Sequence, residues 1–369
     1  MERVSIDVAI VNYRCAADTL QALARLAQWP HGTVWLVDNS AHEADVAADN
    51  AALRDAAAGM PWVRMLTPGS NLGFGRACNL AFDESKAEFF LLLNPDARIA
   101  VEDVLLLANA LADQPQLGGV SPKIFWNKQR SFVLPAAFPQ TPGHSIALAL
   151  ATHSRGLTQW AAQRGLNGAM RQMESKIPFE VPFLAGSVMM LRRKAVLSAH
   201  ALFDPDYFMF FEDSDLSVRL RRAGYSLAIV PAASAEHEYR HKAFKAGMMA
   251  KSQHQYFSKL YPAFYRWSGG LTRVAALARP VDLEKWFKVI PKPITSAQEF
   301  AQHTGNGRVL AFSPSVLMMP ALFRPSFEQA RSFDAQEWAL LEPASYTALM
   351  QSTDPARKPE WVYFTRAEF

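Results

Sequence analysis

Short apolar runs alternate with longer amphipathic ones from Val4 to Asp113, and this alternation constrains the fold more than any other feature of the chain. Val4–Val11, Thr33–Val37, Trp62–Leu66 and Phe89–Leu93 are apolar runs of strand length. Ala16–Gln28, His42–Ala58, Phe74–Lys86 and Val101–Asp113 fall between and after them with helical spacing. Buried strands that alternate with helices predict an α/β fold: a mostly parallel central sheet flanked by helices.

The polar residues fall at one place in this pattern. Asn12, Asp38 and Asp96 lie just beyond the carboxyl ends of the first, second and fourth strands. Open α/β sheets bind ligands in the crevice outside those strand ends. Asp38-Asn39-Ser40 and Asn94-Pro95-Asp96 are also ordinary turn sequences, so each alone is explained by turn chemistry. Three on a common edge point to a nucleotide site.

A second concentration of polar chemistry lies downstream. Phe203 to Leu216 mixes Asp204, Asp206, Glu212, Asp213 and Asp215 with five aromatics, Phe203, Tyr207, Phe208, Phe210 and Phe211. Acids at the first turn of a helix complement its dipole, which accounts for Asp213 and Asp215. The aromatic run is not explained that way, because acids among aromatics are costly to desolvate unless they serve a base, a metal or a cation.

Elsewhere the signals are plainer. Leu117–Phe125, Phe183–Arg192 and Leu227–Pro231 read as strands, and Gly186 before Ser187 permits close backbone approach. His144–Met173 has helical spacing, with Leu150, Leu157 and Trp160 near one face. It is either a surface helix pair or an interfacial segment that meets a lipid-borne substrate. After Gly270 prolines break the texture, with strands expected at Arg308–Phe312 and Trp361–Thr365 and a short helix at Phe333–Leu340. The expected organisation is a domain over 1–270, with a nucleotide-binding half at 1–125 and an acceptor and catalytic half at 126–270, then a small C-terminal extension at 271–369.

Composition bounds the partners. The net charge is +4, a mild bias that suits an anionic small molecule or membrane surface and is far from a nucleic-acid signature. No run of 18 apolar residues occurs, and Glu2, Arg3 and Asp7 stand where a signal peptide needs an apolar stretch. The two cysteines, Cys15 and Cys78, have no metal-ligand neighbours, so reduced thiols and a cytoplasmic location are expected.

The ordered set of segments Val8–Tyr13, Leu36–Ser40, Asn71–Asn79, Leu91–Asp96, Phe183–Ser187 and Phe203–Leu216, with His237 downstream, resembles the family 2 inverting glycosyltransferases of GT-A (Rossmann-like) fold, in their rhamnosyltransferase-like branch. The likeness covers roughly residues 4–245. It implies a nucleotide-sugar donor, a divalent cation (Mg²⁺ or Mn²⁺) and direct displacement at the anomeric carbon. It assigns Asp213, preceded by Glu212, as general base. It assigns Asp38 and Tyr13, beside Asn12, to the nucleobase, and Asn71, Gly73 and Asn79 to the ribose and diphosphate. Asp96 matches the last acid of a DXD-type metal motif, completed by His237; Asn94 replaces the motif's first Asp. Gly186, Ser187 and Phe211 are expected at the acceptor. The implied donor is dTDP-rhamnose, with a UDP-hexose second. The implied acceptor is a glycan or lipid-linked saccharide of bacterial surface polysaccharide synthesis, reached by peripheral contact with the inner face of the membrane.

Two other readings stand beside this one. His237-Glu238-Tyr239-Arg240-His241 fits the H-E-x-x-H pattern of zinc peptidases, which places both histidines on one helix face. A non-catalytic module that binds nucleotide sugars without turnover is the other.

Overall fold

The structure, a computed structural model, describes residues 4–27, 29–135, 140–238, 245–305, 307–318, 320–326, 328–351 and 359–367. Its contacts form two compact units. One holds the chain up to Lys123, Ser175–His237 and Ala246–Leu260; the other holds Ile124–Glu174 and the chain from Tyr261 onward. The boundary expected at 270 is therefore not where the contacts divide. Residues 124–174 pack with the C-terminal part because Ala162, Leu166 and Met170 share a core with Leu310, Phe323 and Trp361.

The first unit carries β1 (Ile6–Asn12), α1 (Ala16–Arg25), β2 (Val34–Asp38), α2 (Ala47–Ala58), β3 (Val63–Leu66), α3 (Phe74–Glu84), β4 (Phe89–Leu93), β5 (Ala97–Ile99), α4 (Val101–Asp113) and most of β6 (Leu117–Phe125). β1 pairs in parallel with β2 and β4, and β2 with β3. The strand Val188–Arg192 then runs antiparallel between β4 and β6. All five residues of β4 are buried, and each such side chain contributes about 1.5–3 kcal/mol relative to exposure. The helices cover the sheet with their apolar stripes: Ala16, Thr19, Ala22 and Leu23 of α1, and Ala77, Cys78, Ala81 and Phe82 of α3.

The α/β fold expected from the sequence, a central sheet flanked by helices, is present; the expected parallel pairing holds for β4, β1, β2 and β3, whose neighbour Val188–Arg192 is antiparallel, and the carboxyl ends of β1, β2 and β4 lie on one edge. Three local differences matter for function. Residues 183–187 form a loop, and the strand begins only at Val188. The strand expected at 227–231 runs on from Ser226 to His237. Its far end pairs with β5, a three-residue strand too short to read from sequence, with His237 opposite Ala97.

The second unit is built on antiparallel pairing of Ser345–Gln351 with Glu360–Thr365 and with Arg308–Ser313. Trp126, Phe132, Phe300, Phe312, Phe333, Trp338 and Phe364 fill one core. Arg324 is fully buried there, bonds Glu337 at 2.6 and 3.1 Å, and lies 3.9 Å over the Phe132 ring. The expected strands at Arg308–Phe312 and Trp361–Thr365 form, and the expected short helix starts at Ala335, with Asp334 and Glu337 making a capping box.

Candidate active site

Asn12 and Asp38 end β1 and β2 as direct partners in the parallel pairing. Asn12 Nδ2 donates to Asp38 Oδ1 at 2.9 Å, and Ser40 donates its main-chain N–H (3.2 Å) and its hydroxyl (3.1 Å) to the same oxygen. Asn50, from α2, donates to the Ser40 carbonyl at 2.8 Å. Asp38 Oδ2 is buried with no hydrogen-bond partner among the described residues. A buried carboxylate oxygen without a donor is costly, so an approaching N–H would gain strongly there. Tyr13, next along, is 39 % exposed.

Asn39 ties this edge to the following turn. Its Nδ2 donates to Asn71 Oδ1 at 2.8 Å, and its Oδ1 accepts from the N–H of Leu72 at 2.9 Å. Gly73 has φ +77°, and a Cβ there would sit 2.3 Å from the Phe208 carbonyl oxygen. The first free N–H of α3, that of Phe74, bonds this same oxygen at 2.9 Å. Only glycine fits the turn, and α3 is capped by tertiary main chain in place of a side chain. Both ends of the half-buried Asn79 amide bond the main chain of Phe203, at 2.8 and 2.9 Å, which clamps the start of the 203–211 loop.

The acid-rich segment sorts its charges. Asp204 and Asp206 each pair with Lys259 at 2.6 Å, and Asp215 pairs with Arg219 at 2.5 Å. Glu212 and Asp213, at the start of the helix Glu212–Arg222, have no ion-pair partner among the described residues. Asp213 Oδ2 accepts the Gly186 N–H at 3.0 Å, and its Oδ1 accepts the Ser214 N–H at 2.6 Å. Burial raises the Asp213 carboxyl above the usual range, against those hydrogen bonds. Glu212 is pushed up to about 8 by burial and then by Asp213. Its carboxylate lies toward α3, close enough to add to the rise that burial gives the Cys78 thiol, and its Oε2 has no hydrogen-bond partner among the described residues. Glu212 therefore does not share the half-exposed position of Asp213.

Phe210 and Phe211, immediately before this helix, have φ of +71° and +67°. Two successive non-glycine residues in the left-handed region store strain of order 1–3 kcal/mol each, a feature that clusters at functional sites. The turn sends the Phe211 ring inward: it is 9 % exposed and its centroid lies 5.3 Å from that of Tyr256. The exposed aromatic of the run is Phe208, at 47 %, so Phe211 does not line an open acceptor surface.

Asp96 and His237 stand side by side. The pairing of β5 with Ser226–His237 sets Asp96 Oδ1 3.2 Å from His237 Nε2. The Asn94 N–H bonds the Ser187 carbonyl at 2.8 Å, one residue from Gly186 and its bond to Asp213. Gly186 and Ser187 thus join the Asp96–His237 pair to Asp213. The described residues hold no group of three or more metal-ligating side chains. One carboxylate and one imidazole fit a divalent cation that takes its other ligands from phosphate oxygens and water. His237 ends a strand, so the helix needed by the zinc-peptidase pattern is absent at its first histidine; His241 lies outside the described residues.

The family model "Glycosyltransferase like family 2" matches residues 3–256. The chain belongs to this glycosyltransferase family and is a transferase of its α/β fold. An N-acetylglucosaminyl-diphospho-decaprenol L-rhamnosyltransferase of Mycobacterium tuberculosis (strain CDC 1551 / Oshkosh) is 32 % identical over 200 residues, 51 % of this chain and 61 % of that protein. The same enzyme of strain H37Rv matches to the same extent. The match thus spans less than two thirds of those relatives. The crystal structure of GalNAc-T7 with UDP, GalNAc and Mn²⁺ superposes with a TM-score of 0.50 at 13 % identity, over 82 % of this chain and 55 % of that one, a likeness of fold.

No signal in the sequence singles out Asn39, Ser40 and Asn50: Asn39 and Ser40 lie in an ordinary turn sequence, and Asn50 in an alanine-rich helix.

Proposed function

We propose that this chain transfers a sugar, with inversion, from a nucleoside diphosphate donor to a saccharide hydroxyl, with Asp213 as general base. The observation that carries the proposal is the Asp213 carboxylate. It is fixed by Gly186 and Ser214, paired with no cation among the described residues, raised in basicity, and joined through Gly186–Ser187 to the Asp96–His237 pair. Each carboxylate oxygen has two acceptor positions, so Oδ2 keeps one for a sugar hydroxyl after taking the Gly186 N–H.

A hydroxyl is a poor nucleophile at neutral pH, and a positioned carboxylate that takes its proton during attack accelerates the step by about 10²–10⁴-fold. Double displacement needs a second, nucleophilic carboxylate. Glu212 is 6 % exposed and turned toward α3, which leaves one carboxylate for a single displacement. The donor's base is read at Asp38 Oδ2 and Tyr13, and its ribose and diphosphate at Asn71 and Gly73. Asp96 and His237 would hold a divalent cation, which when bound supplies positive charge to the departing diphosphate.

The likeness to an L-rhamnosyltransferase supports rhamnose as the transferred sugar; dTDP is the carrier proposed for it, with a UDP-sugar second. The decaprenol in that relative's name supports a lipid-linked acceptor. Contact with such an acceptor is proposed as peripheral, on the cytoplasmic face. No helix among the described residues is long and apolar enough to cross a membrane. The test is a donor panel screened by calorimetry with Mn²⁺ or Mg²⁺, followed by transfer assays. Saturable donor binding without transfer to any saccharide would favour the non-catalytic module.

A further inference from the structure

A groove of about 490 Å³ opens in the second unit between the helix Arg155–Glu174 and the strand Glu360–Thr365. Its volume falls in the range of small-molecule sites, about 300–1,000 Å³. The helix is amphipathic for a plain reason on one side, where Ala162, Leu166 and Met170 enter the core. The groove side has a different character. Gln159, Gln163 and Asn167 recur every four residues and form a ladder of carboxamides, with Gln163 Nε2 donating to Asn167 Oδ1 at 2.9 Å. Trp160 stands beside the ladder, 63 % exposed, with the Arg164 guanidinium 5.8 Å from its ring centroid. Trp361 adds a second indole that is 7 % exposed and seated against Phe287. Among the described residues no acid lines the groove.

Helix solubility requires polar residues on this face; it does not require an indole left in water with amides on either side of the same turn. A carboxamide donates and accepts at once, which suits vicinal hydroxyls. A flat indole offers an apolar face to the C–H side of a pyranose ring. The described lining carries no acid and one cation, Arg164, already over Trp160, which suits an uncharged ligand. We propose that this groove binds a neutral oligosaccharide, as a site separate from the one that performs transfer. It rests on the proposed function and extends it by giving the chain a second saccharide-binding site.

The test uses the full chain, titrated with chitotriose, maltotriose and a rhamnose trisaccharide and followed by calorimetry and tryptophan fluorescence. Saturable binding of at least one, with Kd on the order of 1 mM or tighter, is expected. Trp160→Ala and Gln163→Ala should each weaken it, the first by about tenfold or more, at an unchanged melting temperature. Asp213→Asn should leave this affinity as it is. No binding by any of the three, or equal affinity in Trp160→Ala, overturns the proposal. Loss of binding in Asp213→Asn would assign the saccharide to the transfer site and also overturn it. Sedimentation with anionic phospholipid vesicles that depends on Trp160, without saccharide binding, would assign the groove to a lipid surface instead.

Discussion

The main-chain N–H of Gly186 bonds Oδ2 of Asp213 at 3.0 Å, and this one contact joins the loop before the Val188–Arg192 strand to the start of the acid-led helix. A Cβ at position 186 would lie 3.5 Å from the Asp213 Cβ and 3.7 Å from the Phe74 ring. Those are ordinary contacts, so the glycine leaves room more than it avoids a clash. Gly186→Val adds bulk at the mouth of this corner. Its predicted effect is a raised KM for acceptor with donor affinity retained, read by steady-state kinetics with each substrate varied.

Glu212 gives the molecule a pH-dependent stability of defined sign. Its folded-state pKa of about 8 lies above its ordinary value of 4.5, so between those values the folded protein holds a proton that the unfolded chain has lost. The contribution is fully present below pH 4.5 and is lost as pH rises through about 8. Glu212→Gln removes this dependence. Melting temperatures measured from pH 5 to 9 should fall less steeply for the variant, and near pH 9 it should melt above the wild type. Parallel curves would contradict the burial of this carboxyl.

Gly73→Ala places a methyl group 2.3 Å from a carbonyl oxygen at a φ that disfavours L-residues. The predicted cost is more than about 1 kcal/mol of stability, measured by chemical denaturation, with loss of donor affinity as the 71–74 turn moves.

Asp96 and His237 sit 3.2 Å apart. His237→Ala should weaken Mn²⁺ binding in the presence of the nucleoside diphosphate by about tenfold or more, measured by calorimetry, while the apo protein keeps its melting temperature. Transfer that persists at full rate in excess chelator would remove the cation from the account.

In the second unit, Glu337→Gln leaves the buried Arg324 charge without its carboxylate. Breaking such a pair costs about 3–5 kcal/mol, and denaturant unfolding reads it directly.

The strands and helices around the site were legible because each is a local pattern: β1, β2 and β4 are uniformly or almost uniformly buried runs. The edge of polar residues followed from their ends. What depends on distant partners was not legible. β5 is three residues long and exists through pairing with 235–237. The inward turn of Phe211 follows from two left-handed dihedrals that no composition signals. The clamp of Asn79 on the Phe203 main chain is another such contact. The union of 124–174 with the C-terminal part is made by side chains that converge from distant stretches of sequence.

The most direct test of the account compares Asp213→Asn with the wild type in a single-turnover transfer assay, with donor affinity measured on the same samples. The account predicts a fall in rate of about 10²–10⁴-fold, with the donor Kd unchanged within about twofold and the fold intact. Transfer at a rate near the wild type's would show that Asp213 does not take the acceptor proton, and would contradict the central assignment.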